Sequence, residues 1–524
     1  MSTVRHAAQP NSIHEETEGY SPHRKPTIVL ACLGVLVAYL PVVGVSTALP
    51  AIQQALGAST ASLQWITDAF IIPTTALVLT FGVIGDLLGR KRVYLTGLGL
   101  SVAGCLVAIT APGVDQLYVG QALAGAGTAA LMASTIGLIT HVCPDSRTRT
   151  RAIGAWTASL ALGLTLSPLF DGQILEHAGW RWIYLPTLLL GAATAVIGAN
   201  HLTDSRADRE LHHDLPGQVM VIIGITCLVF GFIEGGGSGG WTSPLVVCAF
   251  AAAFMAMAGF VAVELESPNP MFDLRLFRSR EFTGAAIAMA VLMFAQVGMV
   301  FSLSEYFGLV EHASAWDVGV RLIAINGLTV VLAPAVGRLT GHLARGLVLF
   351  AGLVVAGVGA LLVTRFEAGT GAGTIMLVIA VMGVGIALAM PTITSVAIDS
   401  VPRGLASTAG SSNSALRQIG SALGPAVFGV LLTNRIVATL PVHLAASGLN
   451  PVDQGNVTGL VSTKGIQVGA YLQLSTRQAT GRALAAYSES FTDALHSSAL
   501  VSGVAVLAAA LISAFFIGVR HRTE

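Results

Sequence analysis

Long apolar stretches alternate with short polar breaks along nearly the whole chain, and each stretch approaches the twenty or so residues that carry an α-helix across a bilayer's hydrocarbon. The pattern predicts about fourteen spans, near 28–48, 64–84, 93–111, 117–139, 152–171, 181–200, 216–234, 244–263, 282–304, 319–337, 347–363, 372–398, 414–432 and 499–518. The expected fold class is therefore an all-α polytopic membrane protein. Composition agrees: 54% of residues are apolar, only 10% are charged, and mean hydropathy is +0.75, whereas a soluble chain carries about a quarter charged residues. A soluble core of this size would have divided into domains and would not need apolar runs of bilayer length.

Net charge is zero, which leaves no basic excess for a nucleic-acid partner. The charges matter by position. Lys and Arg gather in alternate breaks, at Arg5, Arg24 and Lys25, at Arg90, Lys91 and Arg92, at Arg147, Arg149 and Arg151, at Arg206 and Arg209, at Arg275, Arg278 and Arg280, at Arg338 and Arg345, at Arg403 and Arg417, and at Arg520 and Arg522. Arg181, Arg321, Arg365, Arg435, Lys464, Arg477 and Arg482 fall on the other side. Because cytoplasmic loops retain positive charge, both termini are expected in the cytoplasm of a multi-pass cell-membrane protein. The first apolar run has no small-residue cleavage site and is expected to stay as an uncleaved anchor. One long break, about 433–498, is polar and is expected outside as a loop with room for a short amphipathic helix. The five cysteines form no CxxC pair and no metal-ligand spacing with histidine, so they read as small buried apolar residues; neither a metal nor a cofactor is expected. Glycine, at 59 residues, allows close helix approach, and Pro41, Pro73, Pro168, Pro334 and Pro391 fall inside spans, where they kink helices and can serve as hinges.

Between the second and third runs, residues 82–93 read GVIGDLLGRKRV. The glycines Gly82 and Gly89 permit a tight turn, Asp86 can pair with a base or a helix N-terminus, and Arg90, Lys91 and Arg92 hold the loop inside. This segment resembles the G-x-x-x-D-x-x-G-R-[RK]-[RK] loop of the major facilitator superfamily. The segments STALPAIQQAL (46–56), LQWITDAF (63–70), GWRWIYL (179–185) and SNSALRQIGSALG (412–424) extend the resemblance to its fourteen-spanner drug:proton antiporters, and GRLTGHLARG (337–346) is a weaker second copy of the loop. The resemblance implies a cytoplasmic tail (1–27), an N-terminal six-helix bundle (28–200), two inserted linker helices (201–281), a C-terminal six-helix bundle (282–519) holding the 433–498 loop, and a cytoplasmic tail (520–524). It also implies a secondary transporter that exports lipophilic or cationic small molecules by alternating access in exchange for protons.

Asp68 and Asp171 are the proton-coupling candidates, since an acid inside a span is costly and is by default a functional hypothesis. Asp68 lies in the LQW-x-x-D segment; a solvated acid at an external helix end is the alternative for both. Asp171 lies in GLTLSPLFDG, where Ser167 and Asp171 replace two glycines of the family's G-P-x-x-G-G motif. Pro41 and Gln121 stand where the family commonly has an aspartate and an arginine. Trp65, Gln121, Pro168 and Arg417 are candidates for the cavity or the bundle interface, Arg417 through the family's R-Q-x-G pattern, and Asp399 reads as a gate or surface charge. An exporter of an endogenous lipid or metabolite, an uncoupled facilitator and a non-transporting membrane sensor stay open as alternatives. Enzyme activity is not expected: no nucleophile-base pair, metal cluster or Walker segment is present.

Overall fold

The computed structural model describes residues 24–58, 60–143, 145–202, 204–205, 215–236, 240–267, 273–339, 343–367, 369–402, 405–464, 468, 472 and 477–518. Fifteen α-helices and no strand occur among them: α1 (Arg24–Leu56), α2 (Thr60–Leu88), α3 (Arg90–Ile109), α4 (Val114–Val142), α5 (Ser146–His177), α6 (Leu185–His201), α7 (Leu215–Gly236), α8 (Pro244–Glu266), α9 (Arg280–Glu305), α10 (Ala315–Leu339), α11 (Arg345–Leu362), α12 (Ala372–Asp399), α13 (Ala406–Ala446), α14 (Pro451–Lys464) and α15 (Arg477–Ile517). Twelve of these are long and apolar enough to cross a bilayer; the bent α2 makes a thirteenth when its two halves are counted as one span. The apolar part of α7, Pro216–Phe232, is shorter. With no water in hydrocarbon, a helix is the way such a segment keeps its peptide groups paired. The chain is thus a multi-pass membrane protein.

Helices α1 to α6 pack chiefly on one another, with α4 against both α2 and α3 and α1 against α5; α9 to α13 and α15 form a second group, with α9 against α13 and α15 and α11 against α12. Helices α7 and α8 pair with each other, and α7 also touches α2 and α13. The two groups meet chiefly where α5 runs along α10 and where α13 meets α2 and α4. The end that carries Arg90, Arg149 and Arg345 is called the basic face below, and the opposite end the far face.

Two expectations are corrected. The stretch 433–498 is not mainly a loop: α13 continues through Ala446 and α15 begins at Arg477, with α14 between them. At about 1.5 Å per residue these 41-residue helices are near 60 Å long, about twice a bilayer's hydrocarbon. They project beyond it because an apolar stripe on one, Ile436, Leu440 and Leu444, is buried together with Tyr487, Phe491 and Leu495 on the other. His443 of α13 adds contacts to Glu489 at 2.9 Å and Asp493 at 3.0 Å. Second, α13 begins at Ala406 rather than at 414, so Arg417 is not near a helix start or in a basic loop. It sits eleven residues inside α13, about 16 Å along its axis. Arg5, Arg206, Arg209, Arg403, Arg520, Arg522 and part of the second loop copy, 340–342, lie outside the described residues.

Candidate functional site

The turn between α2 and α3 is a single residue. Gly89 has φ 108°, a left-handed conformation that side chains disfavour, and a Cβ there would come within 2.4 Å of the Asp204 carboxylate oxygens. Asp86 faces its own loop: its Oδ1 accepts from Arg90 Nε at 3.1 Å and Nη2 at 2.8 Å, while Arg90 Nη1 donates to the Gly137 carbonyl of α4 at 3.4 Å. Both side chains are buried. The amide of Arg90 donates to the Ser205 carbonyl, and Lys91 Nζ to the Ala199 carbonyl of α6 at 2.8 Å; Arg92 is exposed. The basic loop therefore ties α2, α3, α4 and the end of α6 into one piece. Gly82, at the same end, brings α2 against α13: a Cβ on it would lie 3.0 Å from Ser411 Oγ.

A second cluster at the basic face joins the two helix groups. Asp399, the last residue of α12, accepts from Arg149 of α5 and from Arg345 of α11, and Ser146 Oγ donates to its Oδ2 at 2.5 Å. Arg345 Nη2 also donates to Ser146 Oγ at 2.6 Å. Alongside, a Cβ on Gly154 of α5 would lie 2.7 Å from the Ala333 carbonyl of α10. Pro168 packs on Gly319 farther along the same seam, and Gly172 on Trp316 near the far face. Pro168 is thus an interface residue between α5 and α10.

Asp68 is 6% exposed and Asp171 4% exposed, so neither is the solvated acid of the alternative reading. Ser167 Oγ donates to Asp171 at 3.0 Å, and the serine that departs from the motif thus holds the acid that also departs from it. Asp68, eight residues into α2, lies close enough to Glu234 of α7 for their charges to interact. The Trp65 ring is 5.8 Å from Phe230 of α7, and it helps line an apolar groove of about 520 Å³ between α2, α4 and α7. Gln121 is buried, and neither its amide oxygen nor its nitrogen has a hydrogen-bond partner among the described residues. It lies one turn before Gly125, where α4 sits against the Phe70 carbonyl of α2.

Arg417 is fully buried. Its guanidinium lies 4.7 Å from the centre of the Trp156 ring of α5, its Nη2 is 3.2 Å from the Met132 sulfur of α4, and Tyr39 of α1 adjoins it. The Tyr39 hydroxyl donates to Gln418 Oε1 at 3.2 Å. Arg417 thus reaches from the second group into the first. The sequence reading missed Tyr39, Met132 and Trp156; the only local signal was an aromatic ring with a polar tip within an otherwise aliphatic run.

A description of the Major Facilitator Superfamily matches residues 31–425. The chain belongs to this superfamily. Among curated superfamily relatives, it is 30% identical over 428 residues to the multidrug resistance protein Stp of Mycobacterium tuberculosis, covering 82% of this chain and 79% of that one. It is 29% identical over 521 residues to the tetracenomycin C resistance and export protein of Streptomyces glaucescens, covering 98% and 96%. The solved proton:xylose symporter XylE shares the superfamily fold with a TM-score of 0.60 at 11% identity, over 94% of this chain and 96% of that one. No group of side chains that could hold a metal occurs among the described residues.

Proposed function

We propose that this superfamily member is a proton-coupled exporter of small lipophilic molecules, in which two six-helix bundles, α1 to α6 and α9 to α13 with α15, alternate access to a site between them while α7 and α8 form an inserted pair. The drug-export names of its relatives support the direction of transport. The observation that carries the coupling is the burial of Asp68 and Asp171 within helices of one bundle. A carboxyl held away from water is stable there when neutral, and it releases its proton when the conformation turns it to the other compartment. A proton moving down about 100 mV supplies roughly 2.3 kcal/mol, so one or two protons can concentrate a substrate tens to thousands of times. Clamping of the basic face by Asp399, Arg149 and Arg345 and by the Gly82 contact fits a gate, and Asp86 with Arg90 stiffens the loop beside it.

The test is a dye-accumulation assay in proteoliposomes under an imposed pH gradient, comparing wild type with Asp68→Asn and Asp171→Asn. Loss of gradient-driven accumulation with retained dye exchange at equilibrium would place coupling at the altered acid. Accumulation that survives both substitutions would exclude these acids as the proton carriers, and flux indifferent to gradient collapse would mark a facilitator.

A further inference from the structure

Arg417 poses a problem that the exporter reading does not resolve. A guanidinium keeps its charge under almost any surroundings, and a buried charge without a counter-charge is strongly destabilising unless something compensates for lost water. Among the described residues no carboxylate forms an ion pair with Arg417, and its Nε and Nη1 have no hydrogen-bond acceptor. Its Nη2 reaches a thioether, a weak acceptor, and the neutral Tyr39 hydroxyl is the other polar group beside it. The neighbouring turn of the same helix face repeats the pattern: Ser414 Oγ and Asn413 Oδ1, three and four residues earlier, are buried and lack partners. Asn413 spends only its amide nitrogen, on Thr394 of α12 at 3.3 Å.

Opposite this polar stripe, the first bundle presents the ring of Trp156 and the sulfur of Met132, with the hydroxyl of Tyr39 at their edge. We infer that Arg417, with Ser414 and Asn413 beside it, is the substrate site for an organic anion, a flat lipophilic body bearing a carboxylate or phenolate. This rests on the exporter reading and narrows its substrate class to anions. The anionic oxygen supplies the missing acceptor for the guanidinium, the serine and asparagine bind its polar edge, and the apolar body lies against Trp156 and Met132. The site is closed in this structure, because its two walls belong to different bundles; parting the bundles separates α13 from α4 and α5 and admits the ligand. Within the seam the anion brings the two walls together, since it neutralises one and packs on the other.

Two ligands of nearly the same shape and opposite charge, 2-naphthoate and 2-naphthylmethylammonium, test the charge sign. Saturable binding to the purified wild type is measured by titration calorimetry and by thermal stabilisation, and each ligand's gradient-driven flux is followed separately in proteoliposomes. Truncating one partner of a desolvated charge pair costs enough that Arg417→Met is expected to weaken naphthoate binding about 30-fold or more. Arg417→Lys, which keeps the charge and guards against misfolding as the cause, is expected to retain a substantial part of it. Naphthoate binding that changes less than threefold in Arg417→Met, a wild type that prefers the ammonium, or a wild type that shows no saturable naphthoate binding would each overturn the anion site. Arg417-dependent naphthoate binding without gradient-driven flux would uphold the site and break the exporter reading instead.

Discussion

Asp399 is where the two bundles are joined by charge, and Asp399→Asn isolates that link because asparagine has nearly the same shape. The carboxylate is 15% exposed and the Arg149 side chain 12%, whereas Arg345 is 34% exposed. Breaking a buried ion pair costs about 3–5 kcal/mol, and a pair at a partly wet rim contributes about 0.2–1 kcal/mol. Since the Arg149 pair is only mostly buried, the low end applies, and the closed basic face should weaken by about 3 kcal/mol, a factor of roughly 100 in the closed-to-open ratio. The substitution also leaves two guanidinium groups facing each other without an anion between them. Spin labels at the exposed positions Arg92 on α3 and Leu347 on α11, in a background lacking the five native cysteines, report the separation of the bundles at that face. Electron–electron double resonance should show the distance distribution moving to a longer, broader population in Asp399→Asn and in Arg149→Gln, and staying near wild type in Asp399→Glu. An unchanged distribution in both neutralised variants would refute the clamp and leave the helix seams as the sole closure.

Gly89→Ala should lower stability by about 1–3 kcal/mol, the cost of a side chain in left-handed backbone, with a further contribution from displacing Asp204; a detergent melting curve measures it. Gly104→Val drives a side chain into the Gly120 carbonyl of α4, 2.6 Å from the position of a Cβ, and should cost about 1–3 kcal/mol by overpacking, seen as a lower melting temperature and reduced yield. Asp145, at the exposed N-cap of α5, accepts from the Thr148 amide at 2.8 Å, and this bond holds its carboxyl below the usual carboxylate range. A depressed folded pKa stabilises above the unfolded value and stops doing so as the pH falls through the folded one. The cap should therefore act at neutral pH, where Asp145→Ala costs about 1 kcal/mol, and the difference between wild type and variant should vanish in strong acid; melting curves across pH measure it. His443→Ala should cost at most about 1 kcal/mol and raise hydrogen exchange around Glu489 and Asp493 of α15, while dye efflux is unchanged.

What the residues determined locally was the place of the apolar runs, the one-residue turn at Gly89 and the acids at positions where an acid is costly. Each is a property of a short segment, since burial in hydrocarbon demands a helix and a left-handed turn demands glycine. The projecting stalk was illegible because its apolar stripe is thinned by polar residues; Ile436, Leu440 and Leu444 declare themselves only once Tyr487, Phe491 and Leu495 face them from a segment some fifty residues away. The polar start of α13 misled in the same way, because its serines and glycines suggest a loop until α2 and α4 pack against it. Tertiary structure alone decided that Asp399 meets Arg149 and Arg345 across 250 and 54 residues of chain. It alone also placed Arg417 on Trp156 with no carboxylate paired to it among the described residues. Apolarity records which segments leave water, but the pairing of charges is set by which helices become neighbours, and no single segment carries that information.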